Sequence, residues 1–504
     1  MSQSGTSAPA DEAAALAEPA QRGRGASPAE REFIRGLELH RAEQLDQALK
    51  HYARAAALDP GHAMAWNNMG VLLRKQGKRK PALACYRRAV ALAEADASNH
   101  SNLGNVLRDL GRLEEAERHG ARAVALAPDN AGTHHNHGLI LQDLGRHTEA
   151  IAEFDIAIRI DPRNAGYRWD RALNLLMAGD LARGFAEYEV RWKLPHNPAP
   201  TIAPAEWTGE SLEGKTILLW SEQGFGDTLQ FIRYAPMVKA RGAAKVLLLA
   251  QPPLARLLSG APGVDQVVTE GAPRPQFDCH APLLSLPRLF GTTIETIPAE
   301  CPYLKVPAPA ASLPRPPGAR LMVGICWAGK PTHKNDHNRS AGIEPFLALM
   351  DDPKIAFYSL QKGPRAADLV TSGAAALVED LSPRIEDFAD TARLMRQLDL
   401  VITVDTAVAH LAGALGIPVW VAIPATIDWR WMRERNDSPW YPSMRLFRQE
   451  RSGYWAAPFA EMKAALEGSR PAADAQPRRP ASPPPPPKPA QPQPARGPIR
   501  DRRR

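Results

Sequence analysis

The sequence predicts a helical solenoid followed by an α/β region in which two doubly wound units face each other across a cleft. Three observations carry this expectation. Small and apolar residues recur every 34 positions over about 29–198. Short apolar runs then alternate with helical stretches, once over 199–306 and again over 319–468. Proline-rich spacers near 195–215 and 307–318 punctuate the change.

The first 28 residues lack an apolar core, so they read as a disordered segment and not as a secretory signal. The repeats come next. Gly36, Gly70, Gly104 and Gly138 stand 34 apart, with Ala172 continuing the series; Leu39, Leu73, Leu107, Leu141 and Leu175 keep the same step. So do the alanine columns that begin at Ala48 and Ala55. Tyr52, Tyr86, Phe154 and Tyr188 hold an aromatic column that Gly120 interrupts. Small columns let the two helices of a pair approach closely, and large ones fill the space between pairs. This pattern resembles tetratricopeptide repeats, with four clear units over about 29–164 and a divergent fifth over 165–198.

Asn68, Asn102 and Asn136 also recur every 34 residues, on the first helix of each pair. Asparagine is a mediocre helix former. From spacing alone the amides either bond locally between neighbouring helices or form a ladder for an extended peptide backbone. The column is similar to the asparagine ladder of protein O-GlcNAc transferases, and that resemblance implies a polypeptide acceptor on the concave face. His134, His135 and His137 lie beside it and read as helix-surface residues in preference to metal ligands.

In the first α/β unit, TILLW (216–220), AKVLLLA (244–250) and VDQVV (264–268) are strands separated by helices, which is the grammar of a parallel sheet. The loop SEQGFGDT (221–228) follows the first strand. Gly224 and Gly226 permit tight backbone turns near a ligand. The third glycine of a dinucleotide fingerprint is missing, and Gln251 stands where an acidic residue would end the next strand; this argues against a nicotinamide or flavin enzyme. Asp227 is either a helix cap or a general base facing the cleft.

The second unit restarts with LMVGICWAG (321–329), IAFYSLQ (355–361), DLVITVD (399–405) and PVWVAI (418–423). Ligands bind beyond the carboxyl ends of such strands. The loop after the first of them carries Lys330, His333, Lys334, His337 and Arg339, cations that suit a diphosphate. A buried strand then ends at Asp405-Thr406, with His410 one turn into the next helix. Asp405 at that position is expected to face the cleft, because a buried carboxylate needs solvent or partners. Thr406 and the N–H groups after it can hold phosphate oxygens.

Taken in order, GFGDTLQFIRYAPMV, VGICWAG with its basic loop, SLQKG (359–363) and DTAVAHLAGALGIPVW make residues 215–465 resemble the heptosyltransferase-type glycosyltransferases of family 9, which have the two-domain GT-B fold. DWRWMRERNDSPWYPSMRLFRQ (428–449) is similar to the ending of bacterial proteins that fuse tetratricopeptide repeats to this domain. The resemblance implies two Rossmann-like units, an inverting reaction without metal, and a nucleotide-sugar as substrate with no cofactor. It implies Asp227 as base. It places the donor on Gly224, Gly226, Lys330, Arg339, Gln361, Lys362, Asp405, Thr406, Ala407 and His410, with Ala407 standing where many relatives have glycine. Nowhere does the chain contain D-x-D. Flagellin glycosyltransferases are the nearest functional analogy, with the repeats holding a protein acceptor. The rivals are a non-catalytic scaffold with a vestigial sugar-nucleotide fold, and a transferase acting on a glycolipid.

The tail, 469–504, holds twelve prolines, nine Lys/Arg and two Asp/Glu, which accounts for the net charge of +7. It reads as disordered. The remaining body is close to neutral, which argues against a nucleic-acid groove. Cys85, Cys279, Cys301 and Cys326 are scattered, without a zinc or disulfide pattern. No run of about 18 apolar residues exists to span a membrane, and a cytoplasmic location is expected.

Overall fold

The computed structural model describes residues 26–195, 197–308, 312–333 and 335–468. The tail and all of the amino-terminal segment before residue 26 lie outside the described residues, as does Lys334. The boundary at 28 moves slightly: Ser27 caps the first helix, its hydroxyl accepting from the Glu30 N–H at 3.1 Å.

Five helix pairs follow: Pro28–Arg41 with Leu45–Leu58, Ala63–Lys75 with Arg79–Leu92, Ala97–Asp109 with Leu113–Leu126, Ala131–Asp143 with His147–Ile160, and Ala165–Met177 with Leu181–Tyr188. The glycine column has a steric cause. A Cβ at Gly70 would lie 2.6 Å from the Tyr86 ring, and one at Gly138 equally close to Phe154. Where Gly120 replaces the aromatic, His137 and Ile140 of the next repeat close in on it. Asp96, Asn130 and Asn164 cap their helices by accepting from N–H groups of the first turn.

The α/β region holds two all-parallel sheets. The first has strands β1 (Thr216–Trp220), β2 (Lys245–Ala250), β3 (Gln266–Thr269) and β4 (Cys279–Pro282), in the order β3-β2-β1-β4. The second has β5 (Leu321–Cys326), β6 (Ile355–Ser359), β7 (Val378–Asp380), β8 (Leu400–Val404), β9 (Val419–Ile423) and β10 (Met444–Arg448), in the order β10-β9-β8-β5-β6-β7. Strand order reverses between β1 and β4 and between β5 and β8. The loops leaving β1, β5 and β8 are therefore the places where such sheets open a crevice.

The sequence-based division at 198 is not a division of the core. Trp169, Leu173, Leu176, Phe185 and Tyr188 of the fifth pair belong to one apolar cluster with both sheets. Among the described residues no helix is long and apolar enough to cross a membrane.

Candidate functional site

The loop after β1 leads into the helix Phe225–Phe231, and Asp227 sits in its first turn. One carboxylate oxygen accepts from the Gly224 N–H at 2.9 Å, so Asp227 does cap its own helix. The other accepts from Nη2 of Arg430, which belongs to the second unit. Arg430 is fully engaged. Its Nη1 donates to both oxygens of Asp428 at 2.9 and 3.1 Å, its Nε donates to Gln230 at 2.9 Å, and its guanidinium lies 4.3 Å over the Trp429 ring. Burial opposes the charge on Asp428, but Arg430 outweighs it and holds that carboxyl well below the usual range.

The segment carrying these residues connects β9 to β10. It turns through Trp429–Trp431 and reaches across to the first unit. A second bridge follows it: Arg233 donates to the carbonyl of Trp440 at 2.7 Å and lies 4.4 and 4.7 Å over the rings of Tyr303 and Tyr441.

Asp405, half-buried at the end of β8, lines a polar pocket with His333, Asn335, Arg339, Pro424, Thr426 and Asp428. Burial pushes the Asp405 carboxyl up, and the neighbouring Asp428 adds to the effect. Burial and Arg339 push His333 down to about 4. Arg339 pairs with Asp336 at 3.6 Å, and its guanidinium lies against Gly329, where a Cβ would come within 2.5 Å. The structure thus gathers Asp405, Arg339 and His333 at one opening, with Asp227 behind it on the far side of the Asp428–Arg430 pair.

Other sequence-based assignments change. His410 is wedged in the core, not open to a ligand. Its Nδ1 and the Tyr441 hydroxyl are 2.9 Å apart, its ring stacks on Trp431, and burial followed by Arg430 pushes it down to about 3. Gly226 is needed for the approach of His410: a Cβ there would lie 2.7 Å from the imidazole. Gly224 has φ −69°, a backbone any residue adopts. Gln361 braces the turn after β5, accepting from the N–H groups of Trp327 and Ala328 at 3.1 and 2.9 Å and donating to the Ala328 carbonyl at 3.1 Å. Lys362 donates to the Ser382 carbonyl at 3.0 Å, and Lys330 and His337 are exposed. Thr406 is buried, its hydroxyl 3.1 Å from that of Thr403, and Ala407 opens the following helix half-buried.

The amides offered as acceptor contacts are also buried. Asn102 donates to Asn67 at 2.9 Å, Asn136 to Ser101 at 2.9 Å, and Asn67 to Asn68 at 3.3 Å. Asn102 and Asn136 tie their helices to the first helix of the preceding repeat, because facing polar groups in a tightly wound stack satisfy each other first. The three histidines beside them are buried as well: His134 and His137 face Glu153, and His135 faces Asp170 at 2.7 Å. Among the described residues no group of three or more His, Cys, Asp or Glu is placed to hold a metal.

Spacing and resemblance assign no role to individual residues of 428–449. Asp428 and Arg430 flank a tryptophan in D-W-R-W, and that run of charge between aromatics was the available signal.

The tetratricopeptide repeat family matches residues 35–79, 68–131 and 135–191. The chain is 30% identical over 292 residues to Protein FlbA of Caulobacter vibrioides, covering 52% of this chain and 48% of that protein. It therefore spans about half the length of the curated relative it matches. Among solved structures it is similar to YrrB, described as a tetratricopeptide protein with an unusual peptide-binding site, at 20% identity over 34% of this chain and 88% of that one, TM-score 0.29. It is also similar to PilF of Pseudomonas aeruginosa, at 19% identity over 43% and 87%, TM-score 0.33. The amino-terminal region is a tetratricopeptide solenoid, and a region of parallel sheets follows it.

Proposed function

We propose that the chain is a glycosyltransferase of GT-B type that moves a sugar from a nucleotide-sugar to a protein recruited by its repeats. The observation that carries this reading is the meeting of Asp227 from the first sheet's crevice with Asp428 and Arg430 from the second, beside the pocket that holds Asp405 and Arg339. A donor diphosphate suits Arg339 and the basic loop, where charge-assisted hydrogen bonds are strong. Asp227 takes the acceptor hydroxyl proton as the sugar–phosphate bond breaks, and the cations stabilise the departing diphosphate. Tetratricopeptide repeats suit protein partners, which favours a polypeptide acceptor, with flagellin as the acceptor suggested by analogy.

One observation favours a second reading, a binding scaffold without turnover: both Asp227 oxygens are already engaged, by Gly224 and Arg430. A thermal-shift screen of nucleotide-sugars, followed by intact-mass analysis of co-purifying proteins, separates the two. The transferase reading expects one donor to raise the melting temperature, Arg339→Ala to abolish that rise, and the acceptor to gain one sugar mass. A donor that binds without any mass gain, or no binding by any donor, contradicts the transferase and points to the scaffold.

A further inference from the structure

We propose that Arg430 is the positioning residue of the cleft: one guanidinium fastens Asp227 of the first unit to Asp428 of the second, fixing the carboxylate oxygen that Gly224 does not hold. As a statement about catalysis this rests on the reading of Asp227 as base. As a statement about structure it rests on contacts alone.

The contacts leave Arg430 little freedom. Its side chain is 4% exposed, and each of its three nitrogens has an acceptor: Asp227 and Gln230 from the first unit, Asp428 from its own. The segment around it is held from a third side by the repeats. Phe185 meets the Trp429 ring edge-on at 5.4 Å, Tyr188 meets it at 6.4 Å, and Arg433 lies against Gly145 of the fourth repeat. Met432 follows at φ 44°, a left-handed backbone rare for a side-chain residue, which persists only where surrounding contacts over-determine it. A guanidinium presents a planar fork that satisfies two carboxylates at once, whereas an ammonium cannot span both with the same geometry. The repeats thus hold Trp429 and Arg433 on either side of Arg430, while its guanidinium joins the helix after β1 to Asp428 of its own loop.

The test compares Arg430→Gln, Arg430→Lys, Asp227→Asn and the double variant Arg430→Gln/Asp227→Asn in the full chain. Arg430→Gln leaves two buried carboxylates uncompensated, so its melting temperature falls by roughly 5–15 °C. The double variant removes one of those charges and melts no lower than Arg430→Gln. Losses that simply add overturn the cross-unit pair. In transfer assays Arg430→Gln lowers kcat by about 10²-fold, the cost of a misplaced catalytic group, with the donor KM unchanged. Arg430→Lys keeps the charge, folds even if the glutamine variant does not, and recovers part of kcat. A folded Arg430→Gln or Arg430→Lys with wild-type kcat overturns the positioning role. Absence of transfer by wild type with every donor sinks the base reading of Asp227, and the thermal comparison then decides the pair by itself.

Discussion

His410 shows how a residue's surroundings decide its work. Its ring is buried against Trp431 and bonded to Tyr441, and burial with Arg430 nearby holds it neutral down to about 3 against an ordinary value of 6.5. The unfolded chain therefore takes up a proton below pH 6.5 that the folded chain refuses, so stability falls as the pH drops from 7 towards 4. His410→Phe should flatten that part of a melting-temperature-against-pH curve relative to wild type; a curve of unchanged slope would mean the histidine does not titrate on unfolding. Gly226 offers a second residue-level check. Its alanine Cβ would press on His410 at 2.7 Å, and overpacking of this kind costs about 1–3 kcal/mol. Gly224→Ala meets nothing closer than 3.4 Å and should be nearly neutral in the same denaturation measurement. Equal effects at the two positions would refute the packing role of Gly226.

Elements were legible where their periodicity was strong. The 34-residue columns located every helix pair, because one steric rule repeats in each. Strands β1, β2, β5, β6, β8 and β9 stood out as apolar runs flanked by turns. β4, β7 and β10 did not: Cys279–Pro282 is four residues with a His and a Pro, Val378–Asp380 is a three-residue edge, and Met444–Arg448 carries two arginines in five residues. The asparagine column was legible as a pattern but not as a role, since spacing does not say whether a neighbouring helix stands within reach. Asn102 makes this measurable. Its amide donates to Asn67 in a buried setting, and losing it leaves an unpaired acceptor at about 1–3 kcal/mol. Asn102→Ala should lower stability by that amount in urea unfolding, and unchanged stability would return the column to the peptide-binding reading. The cross-unit site was half legible. Asp405 follows a strand, Asp227 lies in the first turn of a helix and Arg339 stands in the basic loop after β5, where position alone marks them. Arg430 lies in a loop whose path to the first unit depends on Trp429, Trp440 and Phe185, contacts distant in sequence.

At the scale of the molecule, solenoid and α/β region share a core. Trp169, Leu173, Leu176, Phe185 and Tyr188 each bury an apolar side chain in the cluster shared with the α/β region, worth roughly 1.5–3 kcal/mol apiece. Together they are comparable with the whole net stability of a domain, about 5–15 kcal/mol. A chain starting at residue 165 should fold cooperatively, and one starting at 199 should not, as read by circular dichroism on heating; a stable protein from 199 would show that the fifth pair is only a neighbour. The same packing holds Asp227 beside Arg430, and in the proposed reaction this carboxylate is the base for sugar transfer. Single-turnover transfer by Asp227→Asn against wild type tests it most directly, with folding verified first. The amide keeps the size and the acceptor for the Gly224 N–H. The variant's rate is expected to be lower by roughly 10²–10⁴-fold with donor affinity little changed; equal rates in the two proteins would rule out Asp227 as base.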